Sequence, residues 1–191
     1  MGECASSALP RAIRPPIRVG RHLLRNNVFL APMSGVTDLP FRRIAHDLGA
    51  GLVISEMVAS EHLVRARHGT RDRAVGRNLA PFVIQLAGCE ARWMAEGARM
   101  AQELGADIID INMGCPAKSV AARGAGVGLM RTPLKIARLF RKLTAALHVP
   151  VTAFFRKYEE ERDATFVKAG EGLKIERRGS GSPARSGSDG R

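Results

Sequence analysis

Cys115 combines a reactive side chain with a constrained position, because it stands between a glycine and a proline just after an apolar run at residues 108–112. Asn112 ends that run and offers a hydrogen-bond donor and an acceptor together, which suits the edge of a nucleobase or a flavin. Lys118 and Arg123 follow closely, and such cations favour a thiolate, whereas an apolar pocket keeps the thiol protonated and able to act as an acid. A lone cysteine is also often a small core side chain, so both interpretations stay open.

Two further segments place small or polar residues directly after apolar runs. Residues 30–38 read Leu-Ala-Pro-Met-Ser-Gly-Val-Thr-Asp, so a proline and several small residues lead to a residue that caps helices. Small residues let a flat ring approach the backbone, although a plain turn between a strand and a helix is the alternative. Gln85 ends another apolar run, and Cys89 behind it is predicted to serve packing alone.

Short runs of β-branched or aromatic residues, bounded by turn residues, have the pattern of buried strands. These runs are residues 28–31, 52–55, 82–86, 108–112 and 149–152. Ligands of parallel α/β proteins bind at the carboxyl ends of strands, where Cys115, Gln85 and residues 32–38 stand.

Helical patterns separate the predicted strands. One helix is predicted from a cap at Asp38 to a stop at Gly49, and another begins at an N-cap, Thr132, which is followed by a proline. Between them, four residues recur at helical spacing before Gly105, namely Met94, Ala98, Ala101 and Leu104. Strands and helices that alternate at roughly 25–30 residues predict right-handed βαβ units around a parallel sheet.

The chain divides into three zones by composition. Residues 1–27 form an N-terminal segment that ends in a predicted hairpin near residues 17–24, and residues 28–152 carry the α/β pattern. Residues 153–191 diverge from it, and 10 of the 22 residues from position 170 onward are Gly or Ser. Such a composition cannot bury enough apolar surface to offset its ordering entropy, so this tail is predicted to be disordered.

Composition and charge restrict the classes of function. The chain has 191 residues and three cysteines, and it shows neither a disulfide framework, nor metal-ligand spacing, nor a run of about 20 apolar residues that would span a membrane. We therefore expect a reduced, cytoplasmic protein without a metal. Thirty Lys and Arg against 18 Asp and Glu give a net charge of +12, which favours a polyanionic partner such as a nucleic acid, the alternative being a solvated basic surface.

Four segments, in order, resemble the successive signatures of the tRNA-dihydrouridine synthases, in particular the bacterial B-type or nitrogen-regulation-like branch. They are residues 31–38, 55–57, 85–88 and 110–116. The resemblance implies a TIM barrel that binds FMN and uses NADPH to reduce the C5–C6 bond of uridine in tRNA.

The resemblance also implies roles for individual residues. Pro32, Met33 and Ser34 are expected to lie against FMN, and Gln85 to hydrogen-bond its ring. Asn112 is expected between the flavin and the uracil, and Cys115 is expected to be the general acid. A reduced flavin delivers hydride to C6, and an acid must then protonate C5.

The sequence departs from the family after residue 152. Phe154 stands where the family carries a lysine that contacts FMN, and no later family signature is recognised. About 250 residues make a complete barrel, so the chain is expected to hold the first four βα units and a fifth strand of a truncated, incomplete barrel, whose open sheet edges could support self-association.

Three functions therefore remain open. The first is the flavin-dependent tRNA-uridine reductase, and the alternative is a catalytically incompetent half barrel with at most weak binding of RNA or flavin. A flavin enzyme that acts on a free pyrimidine is the third, and the high positive charge disfavours it. Because about half of the family's flavin contacts are absent, this chain alone is expected to bind FMN poorly.

Overall fold

The computed structural model describes residues 16–67, 70–76, 78–156 and 164–169. A short antiparallel hairpin lies at the start of this part of the chain. Its strands are β1 (Ile17–Val19) and β2 (His22–Leu24), which confirms the predicted hairpin. Gly20 forms the turn with a φ of 57°. A Cβ at this position would overlap the ring of Pro150, so the turn packs closely against the start of a later strand.

The parallel sheet follows the order of the chain, and all five predicted strands are present. The strands are β3 (Phe29–Leu30), β4 (Leu52–Val53), β5 (Val58–Ala59), β6 (Val83–Ala87), β7 (Ile108–Asn112) and β8 (Val151–Arg156). β3 pairs with β4, and β5, β6, β7 and β8 pair in sequence, all in parallel. An isolated bridge from Ile54 to Val83 links β4 to β6, so β4 and β5 act as one interrupted strand. Sequential parallel pairing is the arrangement of a TIM barrel.

Helices connect the parallel strands. They are α1 (Leu39–Asp47), α2 (Ser60–Val64), α3 (Thr70–Arg73), α4 (Ala91–Glu103), α5 (Lys118–Ala121), a 3-10 helix (Gly126–Arg131) and α6 (Pro133–Ala146). The predicted helices are confirmed as α1, α4 and α6. Asp38 caps α1 by accepting from the amide of Phe41 at 3.0 Å. Thr132 precedes α6 as predicted, but its side chain makes no cap hydrogen bond among the described residues.

The two faces of the sheet pack against different partners. Ile84, Ile109 and Ile111 face outward into the core cluster that α4 and α6 cover, with Met94 and Leu139 among its fully buried members. Successive side chains of a strand point to opposite faces. The intervening residues therefore face inward, where a second cluster is formed by Val19, Leu24, Leu52, Ile54, Val83 and Ile108. The hairpin residues in this cluster close the amino end of the sheet.

The described structure continues beyond the expected boundary at Thr152. β8 extends to Arg156, and a further strand, β9 (Ala164–Ala169), pairs with it in antiparallel orientation. The prediction that the whole region 153–191 is a disordered tail is therefore wrong for these two stretches. Residues 165–167 are Thr, Phe and Val, which favour strands, and the unpaired backbone groups of an edge strand accept such a segment. Residues 170–191 and residues 1–15 lie outside the described part.

Candidate active site at the carboxyl edge of the sheet

A layer of polar side chains crosses the inward face of three neighbouring strands. Gln85 of β6, Asp110 of β7 and Thr152 of β8 are partners in register, so their side chains share one face of the sheet. Gln85 donates from Nε2 to Asp110 Oδ2 at 2.7 Å, and Thr152 donates from Oγ1 to Asp110 Oδ1 at 2.6 Å. All three residues are buried, so the layer is a satisfied polar network inside an apolar sheet.

Asn112 extends this network to the loop that carries the cysteine. Its Nδ2 donates to Gln85 Oε1 at 2.8 Å, and its Oδ1 accepts from the backbone amide of Cys115 at 3.0 Å. The structure thus brings together three of the predicted site residues, although Gln85 and Asn112 are 27 positions apart in the sequence.

The backbone of Cys115 is also held from the other side, by the 3-10 helix. Val127 donates its amide to the carbonyl oxygen of Cys115 at 3.1 Å. Gly126 has a φ of 56°, and a Cβ there would lie 2.6 Å from the same oxygen. Gly126 is therefore a close-packing position, which lets the 3-10 helix approach the Cys115 loop. Cys115 itself is half-buried, so its thiol sits on a fixed backbone at the surface of the edge.

Cys89 lies beneath the same loop. It packs against the outward core, as predicted, and its thiol also donates to the carbonyl oxygen of Arg123 at 3.0 Å. This contact helps to hold the segment that precedes Gly126.

The loop between β3 and α1 carries the other predicted contacts to a cofactor, Pro32, Met33 and Ser34. Thr37 fixes the loop, because its buried hydroxyl accepts from the amide of Met33 at 2.9 Å and donates to the carbonyl of Met33 at 3.1 Å. Gly35 donates its amide to the carboxylate of Glu56. Among the described residues, no hydrogen bond joins this loop to the group around Cys115. Met33 is 40% exposed, so it is free to meet a ligand.

Arg42 supports this loop from below and was not recognised from the sequence. Its Nε donates to the carbonyl of Thr37 at 3.1 Å, and its Nη2 donates to the carbonyl of Val75 at 2.9 Å. The side chain is buried, which lowers the pKa of Arg42, while the charges of Glu56 and Asp38 act in the opposite direction. No sequence pattern distinguishes Arg42 from the many other arginines.

Asp110 is a second residue whose role sequence reasoning missed. Burial raises its pKa to about 6, and the hydrogen bonds from Gln85 and Thr152 offset part of that rise. The alternation within β7 was the available signal, since Asp110 stands between Ile108 and Asn112 on one face of the strand.

The described residues contain no group of three or more His, Cys, Asp or Glu side chains arranged to hold a metal ion. No helix among them has the length and apolar character needed to cross a membrane.

The fold places the chain among α/β proteins of the TIM-barrel type. Histamine dehydrogenase from Rhizobium sp. 4-9 shares the fold with a TM-score of 0.53 and 13% identity, covering 74% of this chain and 33% of that one. The 6-hydroxypseudooxynicotine amine oxidase from Pseudomonas geniculata N1 does so with a TM-score of 0.50 and 12% identity, covering 75% of this chain and 33% of that one.

The family is defined more closely by the sequence. The dihydrouridine synthase (Dus) family model matches residues 29–176, and the chain belongs to that family. The match extends to residue 176, beyond the last signature recognised in the sequence, which ends at Pro116, and beyond Thr152.

Curated relatives belong to the same family. A probable tRNA-dihydrouridine synthase of Rhizobium leguminosarum bv. phaseoli is 51% identical over 133 residues, which cover 70% of this chain and 42% of the relative. The tRNA-dihydrouridine synthase B of Pseudomonas putida is 45% identical over 141 residues, which cover 73% of this chain and 42% of the relative. The chain thus spans about 42% of the length of these relatives.

Proposed function

We propose that this chain supplies the catalytic edge of an enzyme that reduces the C5–C6 bond of uridine in tRNA, with FMN as the bound cofactor and NADPH as the reductant. Membership of the dihydrouridine synthase family supports the reaction. The observation that carries the proposal is the hydrogen-bonded group of Gln85, Asn112 and Cys115 at the carboxyl edge of the sheet.

The donors and acceptors of this group suit the edge of a flavin. Gln85 Nε2 uses one of its two hydrogens on Asp110, and Asn112 Oδ1 uses one of its two lone pairs on Cys115. A donor and an acceptor therefore remain for a ligand. A Cβ on Gly35 would meet no atom within 4 Å, so the loop leaves room for Pro32, Met33 and Ser34 to lie against a ring. When bound, reduced FMN would supply the hydride that goes to C6 of the uracil.

Cys115 is the proposed general acid. As hydride arrives at C6, the electron pair of the C5–C6 double bond forms a new C5–H bond with the thiol proton, and the thiolate is left behind. The backbone of Cys115 is held at its amide by Asn112 and at its carbonyl by Val127. Such fixing positions a proton donor without a further ordering cost during the reaction. Asn112 would lie between the ring and the base.

The charge around Cys115 supports tRNA as the partner. No Asp or Glu occurs from residue 111 to residue 158. Four exposed cations follow Cys115 between the start of α5 and the first turn of α6, and they take part in no salt bridge among the described residues. They are Lys118, Arg123, Arg131 and Lys135. Free cations of this kind neutralise backbone phosphates. A uridine must leave its stack to reach the edge.

The test is to supply the chain with FMN in large excess, which offsets the weak binding expected of this chain, together with NADPH and unmodified tRNA, and to measure dihydrouridine by mass spectrometry. We expect Cys115→Ala to lower its formation by at least about 100-fold, the size of a general-acid contribution, while flavin reduction by NADPH persists. Cys89→Ala is the matched control and should retain dihydrouridine formation. Unchanged turnover in Cys115→Ala would remove this residue from the mechanism.

A second candidate is a half barrel that binds RNA without catalysis, since the exposed cations that follow Cys115 suit RNA whether or not FMN is bound. Titration of the chain with FMN separates the two functions. Stoichiometric binding with an oxidised flavin absorption band excludes the half-barrel candidate, whereas absence of both binding and dihydrouridine would favour it.

A further inference from the structure

We propose that Asp110 is a positioning residue, which fixes the direction of the hydrogen-bonded chain that runs through Gln85 and Asn112 to the backbone amide of Cys115. The significance of this role for catalysis rests on the proposed function, in which Cys115 donates a proton. The positioning itself concerns only this protein and requires neither cofactor nor tRNA.

The direction follows from the chemistry of the groups. An ionised carboxylate only accepts hydrogen bonds, whereas each side-chain amide has a donating end and an accepting end. Because Asp110 Oδ2 accepts, Gln85 must turn its Nε2 toward it, at 2.7 Å. The Oε1 of Gln85 then faces Asn112 and accepts from its Nδ2 at 2.8 Å.

Asn112 is thereby oriented as well. With its Nδ2 on Gln85, its Oδ1 faces the amide of Cys115 and accepts from it at 3.0 Å. If either side-chain amide were rotated by 180°, two acceptors would face each other at one end of that amide and two donors at its other end. Three hydrogen bonds therefore share one sense, which the accepting carboxylate of Asp110 at one end and the donating amide of Cys115 at the other both require.

The cost of keeping a carboxyl group at this position supports a specific role. Asp110 is fully buried, and it takes part in none of the salt bridges among the described residues. An apolar residue fits the same face of β7 two positions earlier, at Ile108. A protonated carboxyl can donate from Oδ1 to Thr152 and still accept from Gln85 at Oδ2, so the direction holds in both protonation states.

Amide hydrogen exchange at Cys115 tests the proposal. In Asp110→Leu, we expect the protection of the Cys115 amide to fall by about fivefold, the ratio that one lost hydrogen bond produces. The internal reference is the amide of Ile109, which donates to Pro150 O at 3.0 Å within the sheet. A general loss of stability lowers the protection of both amides, whereas loss of positioning lowers the protection of the Cys115 amide relative to that of the Ile109 amide.

Two further variants sharpen the test. Asp110→Asn keeps an acceptor for Gln85 and a donor for Thr152, so it should restore the ratio to that of the original protein. Thr152→Val removes the other hydrogen bond of Asp110 but leaves the chain to Cys115 intact, so it should leave the ratio unchanged.

An unchanged ratio in folded Asp110→Leu would overturn the proposal. Should that variant unfold, Gln85→Met takes its place, because it cuts the same chain one step closer to Cys115, and an unchanged ratio there is equally decisive. The exchange measurement involves no FMN, NADPH or tRNA, so its outcome does not depend on the proposed function. If the positioning role is wrong, the role of Cys115 as a general acid is still tested by the separate activity measurement.

Discussion

The inward face of β6 and β7 changes from apolar to polar over two residues in each strand. Val83 and Ile108 belong to the cluster that the hairpin closes, whereas Gln85 and Asp110 begin the network that leads to Cys115. Both layers are buried on the same strands. The lower layer, which contains Val83 and Ile108, is stabilised by apolar packing. In the upper layer, which contains Gln85 and Asp110, each buried side chain requires a hydrogen-bond partner. The same sheet thus separates stability at its amino end from chemistry at its carboxyl end.

The largest effect is expected from the lower layer. Leu24 is 2% exposed in that layer, and its neighbour Leu23 is 65% exposed on the same strand. We expect Leu24→Ala to lower the free energy of unfolding by about 3 kcal/mol through lost burial and a cavity, and Leu23→Ala to change it by less than about 0.5 kcal/mol. Urea unfolding measures both. Equal costs for the two leucines would show that the hairpin does not close the sheet.

The upper layer should make stability depend on pH. The pKa of Asp110 is raised to about 6 from 3.8, so between these values the folded state binds more protons than the unfolded state. Stability from this group is therefore present below about pH 4 and lost as the pH rises to about 6, by about 3 kcal/mol in total. The measurement is the difference in unfolding free energy between the original protein and Asp110→Asn at pH 4 and pH 7.

That difference should fall with rising pH. A difference that grows from pH 4 to pH 7 for Asp110→Asn would contradict the assigned direction of the pKa.

A smaller effect is expected where the upper layer meets its loops. Gly126 and Gly35 both have positive φ angles, 56° and 76°, but only Gly126 would bring a Cβ against another residue, Cys115. We expect Gly126→Ala to cost about 2 kcal/mol and to accelerate alkylation of Cys115, and Gly35→Ala to cost about 1 kcal/mol from backbone strain alone. Thermal unfolding and peptide mapping after iodoacetamide treatment check this pair. If Gly35→Ala accelerated the alkylation of Cys115 as strongly as Gly126→Ala, the contact with the 3-10 helix would not be what holds the Cys115 loop in place.

The sequence allowed most of the fold to be predicted, because its elements are local patterns. The alternation of short apolar runs with helical spacing located five of the six parallel strands among the described residues, all except β5, and Asp38 and Gly105 marked where helices begin and end. The end of the ordered region was predicted less well, because pairing with β8 gives residues 164–169 a partner that composition does not reveal.

The candidate site was predicted in part. Asn112 and Cys115 were found because they end or follow a strand, where the groups of a parallel sheet meet. Gln85 was found because it follows an apolar run, although β6 continues past it to Ala87. Asp110 and Arg42 were missed, since their importance lies in contacts with residues that are distant along the chain.

By itself, the sequence determined the family, the order of strands and helices, and the presence of a thiol and two amides in or directly after the strands. Only the tertiary structure decided that Gln85, Asp110 and Thr152 form one buried network and that it points toward Cys115. The reason is register: these residues are 25 and 42 positions apart, and they meet only because parallel pairing of β6, β7 and β8 aligns them on one face.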